Sequence, residues 1–445
     1  VTDSAKPVTE RDFLASTILN QELREVIPGG AHTYAKGVDQ YPEGMAPVIT
    51  HGRGASVWDA DGNRFVEYGS GLRSVALGHV HPGVTAAVTR TVQLGTNFAR
   101  PAAIELEAAR ALLSVVPGAD MVKFAKNGSD ATTAAVRLAR AATGRDLVAI
   151  CREQPFFSVD DWFIGHSAMP AGIPSSTRAM TLSFGYGDLD GTRALLESHP
   201  GQIACLVLEA ATTSEPALGY FAGLRQLCDE HGVLLVLDEM ITGFRIALGG
   251  AQERYGLEPD LSTFGKAMGN GYAVSALAGR REYMRLGGMD HDDERVFLLS
   301  TTHGAETHAL AAAMAVIEAY RSEDVIATLH ERGESLTRQV RAATEAAGVA
   351  ENVLVLGSPS NLVHATLDDD GRRSQAYRTL FLQELLKRGV IAPSFVVSAA
   401  LTDDDLRLTA EAVYEAGLVY RQALDHGIDG YLAGRPVQPA LRPRA

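Results

Sequence analysis

Short apolar runs rich in β-branched residues alternate with helical patterns from about residue 105 to 325, and several runs are closed directly by polar or glycine-rich residues. The runs fall at 121–125, 147–151, 178–183, 203–208, 233–237, 261–264 and 274–278. Strands covered on both faces read as continuous apolar stretches, and parallel neighbours need helical crossovers between them. The pattern therefore predicts an α/β fold with a mostly parallel seven-stranded sheet. In such sheets ligands collect beyond the carboxyl ends of the strands, so the residues trailing each run are the natural site candidates. The flanks differ. Residues 55–66 read as two strands joined by an Asp61-Gly62 turn. From about residue 330 an amphipathic helix leads to strand candidates at 353–356 and 362–367, predicting a smaller lobe, and the Pro- and Arg-rich tail 434–445 is expected to be extended.

With 445 residues, 46% of them hydrophobic, the chain can bury a large core and is expected to form more than one lobe. A net charge of −14 with no Lys/Arg-rich run argues against nucleic acid or an anionic membrane as partner and favours small molecules. Cys151, Cys205 and Cys228 lack metal-ligand spacing, so no metal site is predicted, and a reducing cytoplasm fits. The first thirty residues are too polar for a signal peptide and no apolar run is long enough to cross a bilayer, so a cytoplasmic protein is expected.

Two segments carry candidate chemistry. Phe264-Gly265-Lys266-Ala267-Met268-Gly269-Asn270-Gly271 places a lysine among glycines after one apolar run, and Leu237-Asp238-Glu239 ends an earlier one. A lysine so held suits a Schiff base to pyridoxal 5′-phosphate, and a strand-end aspartate suits that cofactor's pyridinium nitrogen. Singly, each has an ordinary reading, a salt-bridged lysine or a helix-capping carboxylate. Together and in this order they point to a cofactor enzyme. Lys126-Asn127-Gly128-Ser129-Asp130 then supplies backbone amides and a hydroxyl ahead of a helix expected at 131–142, a seat for a phosphate, or by itself an ordinary helix cap.

The chain resembles the class III, fold-type I pyridoxal-phosphate aminotransferases, most closely the glutamate-1-semialdehyde aminomutase branch, from about residue 26 to 413. The likeness rests on Ile27-Pro28-Gly29-Gly30, on Leu77-Gly78-His79-Val80-His81-Pro82, and on Leu237-Asp238-Glu239-Met240-Ile241-Thr242-Gly243-Phe244-Arg245, with Asp260-Leu261 leading into Gly265-Lys266. The resemblance implies a large cofactor-binding domain at 81–325, a smaller α+β domain at 326–445, and an N-terminal segment 1–80 that joins the smaller lobe and the active site. It implies that Lys266 carries the cofactor and moves the proton, and that Asp238 keeps the ring nitrogen protonated. By the same likeness Asn127, Gly128 and Ser129 hold the phosphate, Met240 and Phe156 pack on the two sides of the ring, and Glu209 orients the 3-oxygen region or a nearby side chain. Thr302, with Thr301 as the alternative register, would reach the phosphate of the neighbouring subunit's cofactor, which implies a homodimer with shared sites.

The departures from the family pattern fall where substrate is recognised. Phe156-Phe157-Ser158-Val159-Asp160-Asp161 stands in place of Tyr-His-Gly-x-x-Asp, keeping an aromatic ring and losing a hydroxyl, with Phe157 expected in the core. His32-Thr33-Tyr34-Ala35-Lys36 stands where the branch has an arginine that holds the substrate carboxylate, so Lys36 replaces a fork by a point charge and Tyr34 joins it as a candidate contact. Phe395-Val396-Val397-Ser398 lacks the glutamate the branch places there. Arg73 is the alternative anion clamp, with a structural salt bridge as its ordinary role. The reading that follows is an aminotransferase that passes an amino group from an amino acid donor to a ketone or aldehyde acceptor by a ping-pong route. A 1,2-aminomutase or an amino acid epimerase is the rival within the family, and a non-catalytic cofactor-fold binding protein is the rival outside it.

Overall fold

A computed structural model describes residues 11–442 apart from 155, 212, 214 and 215, so the last three residues of the proline-rich tail lie outside it. The chain divides into two compact units, one made of Gly71–Ala76 and Pro82–Ala327, the other of Val1–Ser70, Leu77–His81 and Thr328–Ala445. In chain order the strands are β1 (Ile49–Arg53), β2 (Ser56–Asp59), β3 (Arg64–Glu67), β4 (Met121–Ala125), β5 (Leu147–Cys151), β6 (Thr181–Phe184) and β7 (Ile203–Leu208). They continue as β8 (Leu234–Asp238), β9 (Leu261–Phe264), β10 (Ser275–Gly279), β11 (Val353–Leu356), β12 (Val363–Thr366) and β13 (Val390–Ile391).

In the larger unit the seven strands β4 to β10 form one sheet in the order β4-β10-β9-β8-β7-β5-β6. Neighbours are parallel except at β10, which runs antiparallel to both β4 and β9. Every residue of β7 and β8 is buried, which is why both appear in the sequence as unbroken apolar runs. Leu206, Val207, Leu235 and Val236 expose nothing, and burying such a side chain contributes about 1.5–3 kcal/mol. The register pairs Leu208 with Leu237 and Asp238 with Thr263, so Glu209, Asp238 and the Gly265-Lys266 exit emerge at the carboxyl ends of three adjacent strands.

The expected runs at 121–125, 147–151, 203–208, 261–264 and 353–356 coincide with observed strands, the others shift by one to three residues, and two of the shifts have a clear cause. β6 starts at Thr181 rather than at 178, because Ser175–Arg178 closes a helical turn. The helix expected at 131–142 runs from Gly128 to Thr143, because Asp130 Oδ2 accepts from Asn127 N at 2.9 Å and starts the helix at Gly128. Gly128 and Ser129 thereby belong to its first turn.

In the smaller unit β2 and β3 form the antiparallel hairpin expected around Asp61-Gly62, with Val57 opposite Phe65. Its turn is held by Asp59 Oδ1, which accepts from Asp61 N at 3.1 Å and Asn63 N at 2.8 Å. β1 and β13 extend this sheet to four strands, and β11 pairs with β12 separately. Among the described residues no helix is long and apolar enough to cross a membrane.

Candidate active site

Lys266 opens the short helical turn Lys266–Gly269 after β9 with a φ of 44°, in the left-handed region that residues other than glycine seldom adopt. Such a conformation costs roughly 1–3 kcal/mol and persists where the surroundings over-determine it. Burial pushes the Lys266 ammonium below its ordinary pKa; Asp238 and Glu209 pull it up, and Arg73 and Arg245 push it down. Two carboxylates and two guanidinium groups therefore surround one amine.

Asp238 is 2% exposed. Its Oδ1 accepts from Met240 N at 2.9 Å and Thr263 Oγ1 at 3.1 Å, and among the described residues no hydrogen-bond donor reaches Oδ2. Burial lifts its carboxyl to about 6, against the pull of Lys266 and the two hydrogen bonds. Glu209 is lifted to about 8, first by burial and then by the charge of Asp238, while Lys266 and Arg73 oppose the shift. Its main chain is held on both sides by one buried amide: Gln154 Nε2 donates to Glu209 O at 2.6 Å, and Gln154 Oε1 accepts from Glu209 N at 2.8 Å. Glu239 does different work. It accepts from Ala251 N at 2.9 Å and Gln252 N at 2.8 Å, so the ordinary role of helix cap belongs to the second acid of the Asp-Glu pair.

Arg245 is wholly buried, and its Nη2 donates to the carbonyl of Arg73 at 3.0 Å. Arg73 ends a left-handed run in which Ser70, Gly71, Leu72 and Arg73 have φ of 43°, 56°, 58° and 73°. L-residues avoid successive left-handed conformations, so an external hydrogen bond on this run is physically apt. Burial lowers both guanidinium groups, Arg245 to about 10, and the charge of Glu209 partly restores Arg73.

The turn before the helix Gly128–Thr143 is fixed from several directions. Asp130 Oδ2 also accepts from Lys126 N at 3.3 Å, and Ser275 Oγ of β10 donates to Asn127 O at 2.6 Å. The N–H groups of Gly128 and Ser129 lie in the first turn, where an α-helix offers no internal acceptor. The same helix holds the 156–161 loop: Ser129 Oγ accepts from Val159 N at 3.0 Å, Thr132 Oγ1 donates to Phe157 O at 2.8 Å, and Thr133 Oγ1 donates to Asp160 Oδ2 at 2.5 Å. Phe157 is buried edge-on to Phe163, while Phe156 meets the same ring edge-on and stays 42% exposed. Helix hydroxyls thus anchor a loop that lacks the family's His-Gly pair.

Met240 lies where the turn, β8 and the lysine loop meet. A Cβ on Gly128 would come within 2.9 Å of its Sδ and a Cβ on Gly265 within 2.7 Å, so neither position accepts a side chain without displacing the thioether. Thr301 and Thr302 are exposed, and the carbonyl of Thr302 accepts from Asn97 Nδ2 at 3.0 Å. Lys266, Asp238, Glu209 and Arg73 are brought together, as are Gly128 and Met240. Tyr34 and Lys36 belong to the other unit, exposed on the turn Tyr34–Lys36. Gln154, Thr263 and Arg245 were not among the sequence candidates. Thr263, a polar residue inside an apolar run three positions before Lys266, and Arg245, the last residue of the motif that begins at Leu237, carry readable signals.

Glu209 makes stability depend on pH. The folded protein holds its proton up to about 8, whereas the unfolded chain releases it near the ordinary 4.5, so between these values the native state binds more protons and stability falls as pH rises. Asp238 and Glu239 act in the same sense up to about 6 and about 7. The melting temperature of the cofactor-free protein is expected to fall from about pH 6 to about pH 8, less steeply in Glu209→Gln. Equal slopes in scanning calorimetry would exclude this role of Glu209.

The family model described as Aminotransferase class-III matches residues 38–184 and 189–406. The glutamate-1-semialdehyde 2,1-aminomutase of Chloroherpeton thalassium is 32% identical over 431 residues, covering 90% of this chain and 97% of that protein. The protein of the same name from Roseiflexus castenholzii is 34% identical over 433 residues, covering 90% and 96%. Among solved structures, the FumI protein of Sphingopyxis sp. MTA144 in its PLP internal aldimine form is similar with a TM-score of 0.85 and 27% identity, over 95% of this chain and 98% of that one.

Proposed function

We propose that this chain, which belongs to the class III aminotransferase family, binds pyridoxal 5′-phosphate on Lys266 and transfers an amino group from an amino acid donor to a separate ketone or aldehyde acceptor. The observation that carries the reading is the cluster of Lys266, Asp238, Glu209 and Arg73 beside the carboxyl ends of adjacent parallel strands. The donor set suits the cofactor. Gly128 and Ser129 offer N–H groups, and Ser129 a hydroxyl proton, to a phosphate; Asn127 shapes that turn; and the buried Asp238 keeps Oδ2 available for a cationic ring nitrogen. Met240 and Phe156 supply apolar surface for the ring. When bound, pyridoxal phosphate supplies an electron sink for the carbon that loses its proton.

The protein's own groups do the rest. Lys266 Nζ, its charge disfavoured by burial, takes the proton from the amino-bearing carbon. Asp238 stays ionised beside the ring nitrogen and holds that nitrogen's proton in place. Glu209, fixed by Gln154, faces Lys266 with a carboxyl that readily stays neutral, and Arg73 supplies a cation for an anionic substrate group. Lys36 and Tyr34 are the further candidates for contact with the substrate. Thr302 would serve the phosphate bound by the other copy of a homodimer. Val92, Leu94, Phe98 and Leu106, exposed apolar side chains of the segment whose Asn97 binds the Thr302 carbonyl, support that assembly.

The names of the relatives favour a second reading, a 1,2-aminomutase. A mutase must keep one intermediate while nitrogen moves between neighbouring carbons, whereas a transaminase must release its first product. The substitution of Lys36 and the altered 156–161 loop support release. With donor alone, the pyridoxamine form is expected to accumulate and to be discharged by an added carbonyl acceptor, followed by absorbance. If a single substrate is isomerised with its own labelled nitrogen retained and none exchanged with added donor, the mutase reading replaces this one.

A further inference from the structure

Glu306 occupies the N-cap of the helix Thr307–Ser322, but its carboxylate makes no capping bond. Its two oxygens serve two other residues instead. Oε2 pairs with Lys126 Nζ, and Oε1 with His303 Nδ1 at 3.1 Å. The Lys126 and Glu306 side chains expose only 23% and 17%, which sets this pair apart from the open surface pairs that contribute little, whereas the His303 side chain is 61% exposed.

The two partners of Glu306 belong to two different loops. Lys126 directly precedes Asn127-Gly128-Ser129, a turn already fixed by Asp130 and Ser275. His303 directly follows Thr302, whose carbonyl is held by Asn97, and Thr307 anchors the far side of that segment through Oγ1 to Gly95 O at 2.8 Å and N to Thr96 O at 3.0 Å. Each of these other links serves one loop alone, and Glu306 bridges the two. We propose that Glu306 is a positioning residue that locks the Asn127–Ser129 turn to the Thr302 loop through Lys126 and His303, presetting both for phosphate. The inference rests on the reading that the Asn127–Ser129 turn serves the phosphate of its own site and the Thr302 loop that of the other copy's site. Lys126, with its ammonium already facing a carboxylate, acts here as a tether.

The test measures pyridoxal phosphate affinity of the full chain by quenching of tryptophan fluorescence. Trp162 is a suitable reporter, since its Nε1 donates to Thr133 of the turn's own helix at 2.8 Å. Glu306→Gln and Lys126→Met are each expected to raise Kd about tenfold, Lys126→Arg to stay within about threefold, and the exchanged pair Lys126→Glu with Glu306→Lys to recover most of the loss. The inference is overturned if Glu306→Gln binds like the parent, if the exchanged pair recovers nothing, or if the affinity loss is matched by an equal loss of stability in the cofactor-free protein. A loss confined to the Lys126 variants makes Lys126 a direct phosphate ligand and overturns it too. Borohydride labelling of the parent separates the two levels: no label on Lys266 overturns the functional reading along with this inference, whereas label on Lys266 with unchanged affinity in Glu306→Gln overturns the inference alone.

Discussion

Replacing Lys266 by alanine is expected to lower the half-reaction rate with an amino donor by about 10⁴-fold, the upper range for losing a positioned acid–base group. Binding of pyridoxal phosphate should survive in weakened form, because the Gly128–Ser129 turn and Asp238 do not depend on the amine. Borohydride reduction and peptide mapping should place the cofactor on Lys266 in the parent chain and nowhere in the variant. The other candidate amines are poorly set for the role: Lys126 is paired with Glu306, and Lys36 is exposed on a turn of the smaller unit. A label on either would transfer the assignment.

The second large effect is expected at Asp238→Asn, a near-isosteric change that removes one buried charge. Its side-chain oxygen can still accept from Met240 N and Thr263 Oγ1, so the strand end should keep its shape. A neutral amide no longer favours a cationic ring nitrogen, and proton removal should slow by about 10²- to 10³-fold while the lysine-linked absorbance persists. Since Asp238 raises the pKa of Lys266, the substitution should also move the titration of that lysine downward. Half-reaction rates within about threefold of the parent would exclude the proposed role of Asp238.

What could be read from the sequence follows from how local each signal is. β7 and β8 are buried throughout and announce themselves as apolar runs, and a charged residue closing such a run, as Asp238 does, stands out against it. β1 gives no such sign, because its residues are mostly exposed and lack alternation. The contacts of Gln154 and Arg245 were illegible for another reason: their partners are main-chain atoms 55 and 172 residues away, and no pattern of side chains records where the backbone will pass. The Asp-Glu pair was ambiguous in sequence, and only the hydrogen bonds separate a buried acid with an oxygen left over from its neighbour that caps a helix.

The contact of Met240 with the positions of Gly128 and Gly265 makes three loops variable only as one unit. A larger residue at either glycine demands a smaller one at 240, and a branched residue at 240 presses on both backbones at once. Substitutions at these positions should therefore combine non-additively, and each tested alone will understate what a matched set permits.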